Sequence, residues 1–510
     1  MNVGDPNDAI SPTQARESDM PVVVMIPEKV KAGGAKGHYY KKSFTEYRPD
    51  KLIVMDQEKV GAEAQGELFK RRRGEIPDAE RVLILQEKLY QKAKQEREYK
   101  FYVLYDKMFI PYLLREAWKT VRTNGGSPGV DGITIQKVEE YGVDIYLKEL
   151  GEDLRKQTYN PQAVKRVMIS RANGGQRPLG IPTVRDRIAQ TVCKMILEPV
   201  FEADFEDSSY GFRPNRSSKD AITAIKEYLK QGKTEVYDAD LSKYFDTIPH
   251  DRLQIALKQR IADPRILKLI NKWLKVPVYE DGQYKGGKGN RVGTPQGGVI
   301  SPLLANIYLH LIDRIVGNNQ SLFWKQGVQI VRYADDFVLM GKTISIEIKE
   351  RLQELLLRMG LSLNENKTRQ IDARKESFDF LGFTIRYDRD IKGRNFRYWN
   401  IMPSKKSEQK LRDKIKDYLK THGHYNGQDV ATGLNTIMRG WLNYFGITGV
   451  SYPALSHRRL RIYLINVLYR YYNRKSQRDS RLYGHNAFEV LSSQFGLLDP
   501  TRFALSSAHL

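Results

Sequence analysis

The residues best placed to do chemistry are carboxylates set between apolar runs. In Ile330-Val331-Arg332-Tyr333-Ala334-Asp335-Asp336-Phe337-Val338-Leu339-Met340, two adjacent acids separate two strand-like stretches, the layout of a β-hairpin with acids at its turn. Adjacent carboxylates repel one another unless a cation neutralises them, and hard divalent ions prefer oxygen ligands. An isolated Asp-Asp pair is more commonly a solvated turn, so its meaning depends on a second acid. Val236-Tyr237-Asp238-Ala239-Asp240-Leu241-Ser242-Lys243-Tyr244-Phe245-Asp246 supplies one: it alternates around Asp240 and then turns helical. With Asp240 beside Asp335, the two acids would hold a pair of Mg2+ ions about 4 Å apart, stabilising both the attacking and the leaving oxygen of an in-line phosphoryl displacement. Their separation along the chain does not establish that adjacency. Asp238 and Asp246 are assigned no metal ligation.

Elements to hold these residues are legible from the pattern. Asp78 is placed to cap a helix, with Val82, Leu85 and Leu89, then Phe101, Leu104 and Phe109, at helical spacing. Asn124 to Gly132 is loop chemistry, and from there to about residue 385 strand and helix signals alternate as in a mixed α/β domain. Lys165, Arg166 and Arg171 form a basic strand, and Pro302 fits the first turn of a helix. Residues 1–75 mix Pro, Gly and charge and read as a poorly ordered extension, closed by Lys70-Arg71-Arg72-Arg73.

Composition narrows the class. At 510 residues the chain has room for roughly three domains. Lys and Arg number 84 against 61 Asp and Glu, a net charge of +23, which points to a polyanionic partner. From Pro403 to Lys475, 14 Lys/Arg stand against four Asp/Glu, a net of +10 in 73 residues. Aromatics interleave there, but Leu434, Ile437, Trp441, Tyr444 and Phe445 share one helical face and read as core. No apolar run approaches the roughly 18 residues of a membrane span. The acidic first twenty residues are unlike a signal peptide. The single cysteine, Cys193, excludes an intramolecular disulfide framework and a CxxC zinc site, and reads as a small buried residue.

The ordered motifs resemble those of group II intron-encoded reverse transcriptase/maturases, of the endonuclease-lacking bacterial type. The elements that carry the resemblance are Gly129-Val130-Asp131-Gly132, Arg177-Pro178-Leu179-Gly180-Ile181-Pro182-Thr183 with Asp186 and Arg187, and Tyr210-Gly211-Phe212-Arg213-Pro214. They continue through the Asp240–Asp246 strand, Thr294-Pro295-Gln296-Gly297-Gly298-Val299-Ile300-Ser301-Pro302, Tyr333-Ala334-Asp335-Asp336, Leu363-Asn364 with Lys367, and Phe380-Leu381-Gly382-Phe383. Leu434-Asn435 through Arg439-Gly440-Trp441 to Tyr444-Phe445 resembles the maturase (X, or thumb) domain. The likeness covers about residues 80 to 490.

The resemblance implies an α/β right-hand polymerase fold, with fingers and palm over 76–385, an all-α thumb/maturase domain over 386–492 and a tail over 493–510. It implies Asp240, Asp335 and Asp336 as catalytic acids, and Asp240, Leu241 and Asp335 as ligands of two Mg2+ ions. At the nucleotide site it implies Arg177 as triphosphate clamp, Phe245 as a gate against the ribose 2′-hydroxyl, Gln296 and Gly297 beside the incoming nucleotide, and Lys367 as general acid to pyrophosphate. The basic segment would grip RNA through Lys405, Lys406, Lys410, Arg439, Arg458, Arg459 and Arg461. Expected partners are an RNA template, intron RNA, a DNA primer or target and dNTPs, with no membrane, in a bacterial, nucleoid-associated cytoplasmic setting. With one cysteine, a zinc-bearing endonuclease is not expected, so priming would come from elsewhere. Three readings stay open: an intron polymerase that assists splicing and mobility, a domesticated relative in defence or repair, and a noncatalytic RNA-binding splicing factor. The intact acid set favours a polymerase.

Overall fold

The computed structural model describes residues 76–170, 176–295, 297–390, 394–475 and 486–503. The expected N-terminal extension, Arg171, Gln296 and the end of the C-terminal tail lie outside the described residues.

The chain opens with helices α1 (Asp78–Gln95), α2 (Pro111–Asn124), α3 (Ile135–Tyr141) and α4 (Val143–Arg155). Asp78 does not cap α1; it lies in the first turn, where its carboxylate accepts from Arg115 Nε at 2.6 Å. The spacing of Phe101, Leu104 and Phe109 predicts more helix, and the structure overturns this. Arg260 donates to the carbonyls of Ala93, Glu96, Arg97 and Tyr99, while Asp263 accepts from the amides of Leu104 and Tyr105. These contacts satisfy the backbone groups at the helix end and draw the chain into an irregular path.

Next come β1 (Val164–Ser170), β2 (Gln176–Ile181) and α5 (Val184–Glu202). Helix α5 is apolar on nearly all sides because α1 and α2 pack against it; Ala189, Val192, Cys193, Ile196 and Leu197 are fully buried. Then follow α6 (Ser218–Lys230), β3 (Glu235–Ala239), α7 (Tyr244–Thr247), α8 (His250–Lys258), α9 (Pro264–Leu274), β4 (Val278–Glu280) and β5 (Gln283–Lys285). Strand β1 pairs antiparallel with β2 and parallel with β4, giving a sheet of order β2-β1-β4-β5.

The second half supplies α10 (Ser301–Gly317), α11 (Leu322–Lys325), β6 (Gln329–Tyr333), β7 (Asp336–Gly341), α12 (Ile346–Arg358) and β8 (Arg369–Asp372). Strands β6, β7, β3 and β8 form one antiparallel sheet in that order, so β3 lies between β7 and β8. Strand β7 is buried along its whole length, a consequence of Phe337, Val338, Leu339 and Met340 facing core on both sides of the sheet.

Beyond it, β9 (Phe378–Phe380), β10 (Phe383–Arg389) and β11 (Arg397–Pro403) make a third sheet. Helices α13 (Lys405–Thr421), α14 (Gly427–Phe445), α15 (Ala454–Lys475) and α16 (Ala487–Phe495) close the fold around their own core. The expected boundary at 386 falls inside β10, and the all-α segment starts only at Lys405. Phe383, Ile385 and Ile401 are buried at period-two spacing, which favours strand over helix there. Phe380-Leu381-Gly382-Phe383 is the β9–β10 turn, with Leu381 and Gly382 at φ of 49° and 79°. Tyr444 of α14 donates to the carbonyl of Leu381 at 3.0 Å, and Lys226 of α6 donates to the carbonyl of Gly449 at 2.7 Å. These contacts tie the helical segment to the β9–β10 turn and to α6.

Candidate active site

Register brings the two acidic segments together. Asp238 pairs with Val338 and Ala239 with Phe337; one step further, the same register sets Asp240 level with Asp336 at the mouth of the β6–β7 hairpin. Asp335 occupies the two-residue turn between Tyr333 and Asp336. Asp240 and Asp336 are buried, and Asp240 stands at the end of a central strand. Asp238 faces away from this role: it lies opposite Arg369 on β8, with Arg369 Nε at 3.6 Å. Asp246 is exposed on α7.

The loop after α12 closes over Asp240. The amide of Asn364 donates to the Asp240 carbonyl at 2.8 Å, and Lys367 Nζ lies 3.4 Å from Asp240 Oδ2. Leu241 has its side chain in the core, so only its main-chain carbonyl can act as a donor to a metal. Among the described residues no three His, Cys, Asp or Glu side chains converge as a ready-made metal cluster. The expected set of two carboxylates and one carbonyl is made only of hard oxygen donors, which suits Mg2+ completed by substrate oxygens. The Lys367 ammonium beside Asp240 shows that this position favours a cation.

The turn carrying Asp335 is supported from behind. Ala334 has φ of 59°, a left-handed conformation costly for a residue with a Cβ. Gly211 packs against it so closely that a Cβ there would sit 2.4 Å from the Ala334 nitrogen. Arg332, fully buried, donates to the Ala334 carbonyl at 2.8 Å and forms an ion pair with Asp313 of α10 at 2.5 Å. Neither Arg332 nor Asp313 is singled out by motif spacing; the available signal is a charged residue within an apolar strand run.

The candidate nucleotide residues fall on α7, on the loop after Thr294 and on β2. Phe245 is half-buried on α7, edge-on to Tyr244 with ring centroids 5.4 Å apart, and its carbonyl accepts from the Thr294 amide at 2.7 Å. Gly297 has φ of 101°, and a Cβ there would meet the Gly180 carbonyl oxygen at 2.2 Å. That glycine is required both by conformation and by close approach to β2. Arg177 sits in β2 opposite Ile169; its side chain lies outside the described residues. Arg187 is mostly buried and donates to the carbonyls of Pro182, Gly125 and Ser127, holding the 124–132 loop against the start of α5. Asp186 accepts from Tyr159 and Thr183, and burial raises its pKa above the ordinary carboxylate value.

Of the candidate RNA contacts, Lys405, Lys406, Arg439, Arg458 and Arg459 are exposed and Lys410 is half-buried. Arg459 lies 3.5 Å from Glu408. Arg461 is occupied otherwise: it pairs with Glu489 at 2.7 Å and Asp499 at 3.2 Å, anchoring the C-terminal segment to α15. Among the described residues no helix is long and apolar enough to cross a membrane.

Comparison with known proteins adds a family signature. A family described as reverse transcriptase (RNA-dependent DNA polymerase) matches residues 163–385, and one described as group II intron, maturase-specific domain matches residues 408–484. The chain is 36% identical over 333 residues to protein YkfC of Escherichia coli K12, covering 58% of this chain and 86% of that protein. It is 34% identical over 236 residues to the group II intron-encoded protein LtrA of Lactococcus lactis, covering 46% of this chain and 38% of that protein. An uncharacterized 91 kDa protein in the cob intron of Schizosaccharomyces pombe is 26% identical over 434 residues, 70% of this chain and 53% of that one. The chain thus spans about half or less of the intron-encoded relatives' own length. Among solved structures, a partial Cas6-RT-Cas1--Cas2 complex aligns with a TM-score of 0.31 at 21% identity, covering 50% of this chain and 42% of that chain, too slight a likeness to carry an argument.

Proposed function

This chain belongs to the group II intron reverse transcriptase/maturase family, and from that premise we propose that it extends a DNA primer on an RNA template and grips intron RNA to assist splicing and mobility. The supporting observation is the strand register that sets Asp240 level with Asp336 beside the turn carrying Asp335, in a chain that continues into a maturase-specific segment. Residues 76–385 act as fingers and palm of a right-hand polymerase. The helices from Lys405 act as the thumb, and the β10–β11 hairpin joins the two.

In this reading Asp240 and Asp335, with the Leu241 carbonyl, would hold two Mg2+ ions, and Asp336 would add negative charge to the site. Bound there, the ions supply electrostatic stabilisation of a primer 3′-oxygen attacking the α-phosphorus while the bond to pyrophosphate breaks. Gly297 lets backbone approach the nucleotide, with Gln296 beside it and Arg177 on the triphosphate. The Phe245 ring excludes a 2′-hydroxyl, and Lys367 passes a proton to the leaving pyrophosphate. Lys405 and Lys406 open α13, an end where the helix dipole disfavours cations, so they are not placed for helix stability. RNA phosphates give them a purpose. The same reading puts the chain in a bacterial cytoplasm, near the nucleoid.

The test uses the full-length chain, a DNA-primed RNA template, Mg2+ and dNTPs. Extension by wild type and none by Asp335→Ala is expected. Absence of extension by both, with RNA binding kept, would turn the reading toward a noncatalytic splicing factor.

A further inference from the structure

Behind the acid turn, Arg332 has no solvent contact, and all five of its N–H donors have partners. Nε donates to Asp313 at 2.9 and 3.0 Å, one terminal nitrogen to Asn306 Oδ1 at 2.9 Å and the Ala334 carbonyl at 2.8 Å. The other donates to Ser209 Oγ at 2.6 Å and Asp313 Oδ2 at 2.5 Å. Asn306 in turn donates from Nδ2 to the Gly211 carbonyl at 2.7 Å, and Gly211 lies directly under the turn. The contacts make a closed ring: Arg332 to Ala334, Ala334 against Gly211, Gly211 to Asn306, and Asn306 back to Arg332.

A buried ion pair is weak ground for stability, since apolar pairs of similar volume commonly serve as well. What it supplies here is direction. The strained φ of Ala334 persists only where its surroundings over-determine it, and Arg332 and Gly211 grip the turn from two sides. A lysine has no planar fork and cannot reach Asp313, Asn306, Ser209 and the Ala334 carbonyl together.

We propose that Arg332, with Asp313 and Asn306, is a positioning residue that aims the Asp335–Asp336 turn at the metal and nucleotide, acting through the Ala334 carbonyl. The proposal rests on the polymerase reading. It concerns how the acids are held and not which acids react.

The experiment compares full-length wild type with Arg332→Lys, Asn306→Ala and the double variant Arg332→Met/Asp313→Leu, which keeps an apolar fill and no orphaned charge. Mn2+ affinity is read by electron paramagnetic resonance. Single-nucleotide incorporation is separated into maximal rate and dNTP KM, with primer–template affinity and thermal unfolding measured alongside. A positioning role predicts folded variants with unchanged primer–template affinity, Mn2+ bound several-fold more weakly and a maximal rate down by about 10²-fold, an effect of the size expected for misplaced catalytic groups. Folded variants with wild-type Mn2+ affinity and rate would overturn the proposal and leave the network as core packing. If a single variant does not fold, the double variant decides by the same two readings. Wild-type extension with inactive Asp335→Ala secures the polymerase reading separately, so the two ideas fail by different results.

Discussion

Lys367 Nζ stands 3.4 Å from Asp240 Oδ2, where the loop after α12 meets the end of the acid strand. In the proposed reading this ammonium has two roles: neutralising Asp240, and giving a proton to the leaving group. Arginine keeps the first role and loses the second, because guanidinium does not release its proton in the working range. Lys367→Arg should therefore slow incorporation by about 10²-fold with primer–template affinity kept. Pre-steady-state incorporation by the variant beside wild type measures the loss. An unchanged rate would remove Lys367 from proton transfer.

Phe245 packs on Tyr244 yet remains half-buried, not fully enclosed in the core. Phe245→Ala should reduce the preference for dNTPs over rNTPs by roughly 10²-fold, the scale on which a pocket rejects an added hydroxyl. Competition assays with matched dNTP and rNTP measure it. A lower melting temperature with intact discrimination would identify the ring as core alone.

Two substitutions at the acid turn should act in opposite directions. Gly211→Ala inserts a Cβ 2.4 Å from the Ala334 nitrogen and should cost about 1–3 kcal/mol as overpacking, with loss of extension. Ala334→Gly relieves the positive φ and should gain up to about 1 kcal/mol from that relief. Denaturant melts of the two variants check the signs.

The basic segment should divide by function. Charge removal at Lys405 and Lys406 should weaken RNA binding and lower its salt slope by about 1 for each phosphate no longer neutralised. Arg461→Ala should leave the slope intact and loosen the C-terminal segment, because its partners are Glu489 and Asp499. Salt titrations and limited proteolysis distinguish the two.

His310 on α10 sits edge-on to Phe205, and desolvation pushes its pKa down to about 4. The unfolded chain, with a histidine near 6.5, takes up a proton that the fold refuses. Stability from this group is complete above about pH 6.5 and is lost as pH falls toward 4, by up to about 3 kcal/mol. Melting His310→Leu beside wild type should show a shallower acid slope in the variant.

Much of the site is legible from the sequence because it lies in regular elements. Apolar runs flanking Asp335-Asp336 and alternation around Asp240 specify strands, and the structure pairs them. Their adjacency depends on register between residues nearly a hundred positions apart, which period-two patterning alone does not set. The β10–β11 hairpin is concealed by a basic, aromatic composition that also suits a helix. The Phe101–Phe109 stretch has helical spacing but is redirected by Arg260 and Asp263, residues distant in sequence. Arg332 is hidden for a related reason: its meaning lies in Asp313, Asn306 and Ala334, which only folding brings around it.

Cys193 is sealed inside α5, its thiol pushed up in pKa by the surrounding apolar atoms. The consequence is practical. A thiol reagent can reach it only when α5 opens, so the labelling rate is a stopwatch for that opening. Because the chain has no other cysteine, a single thiol engineered onto the surface would take a dye at one chosen point while Cys193 stays dark. The protein is thus already arranged for watching one molecule work, and for timing the moment it comes apart.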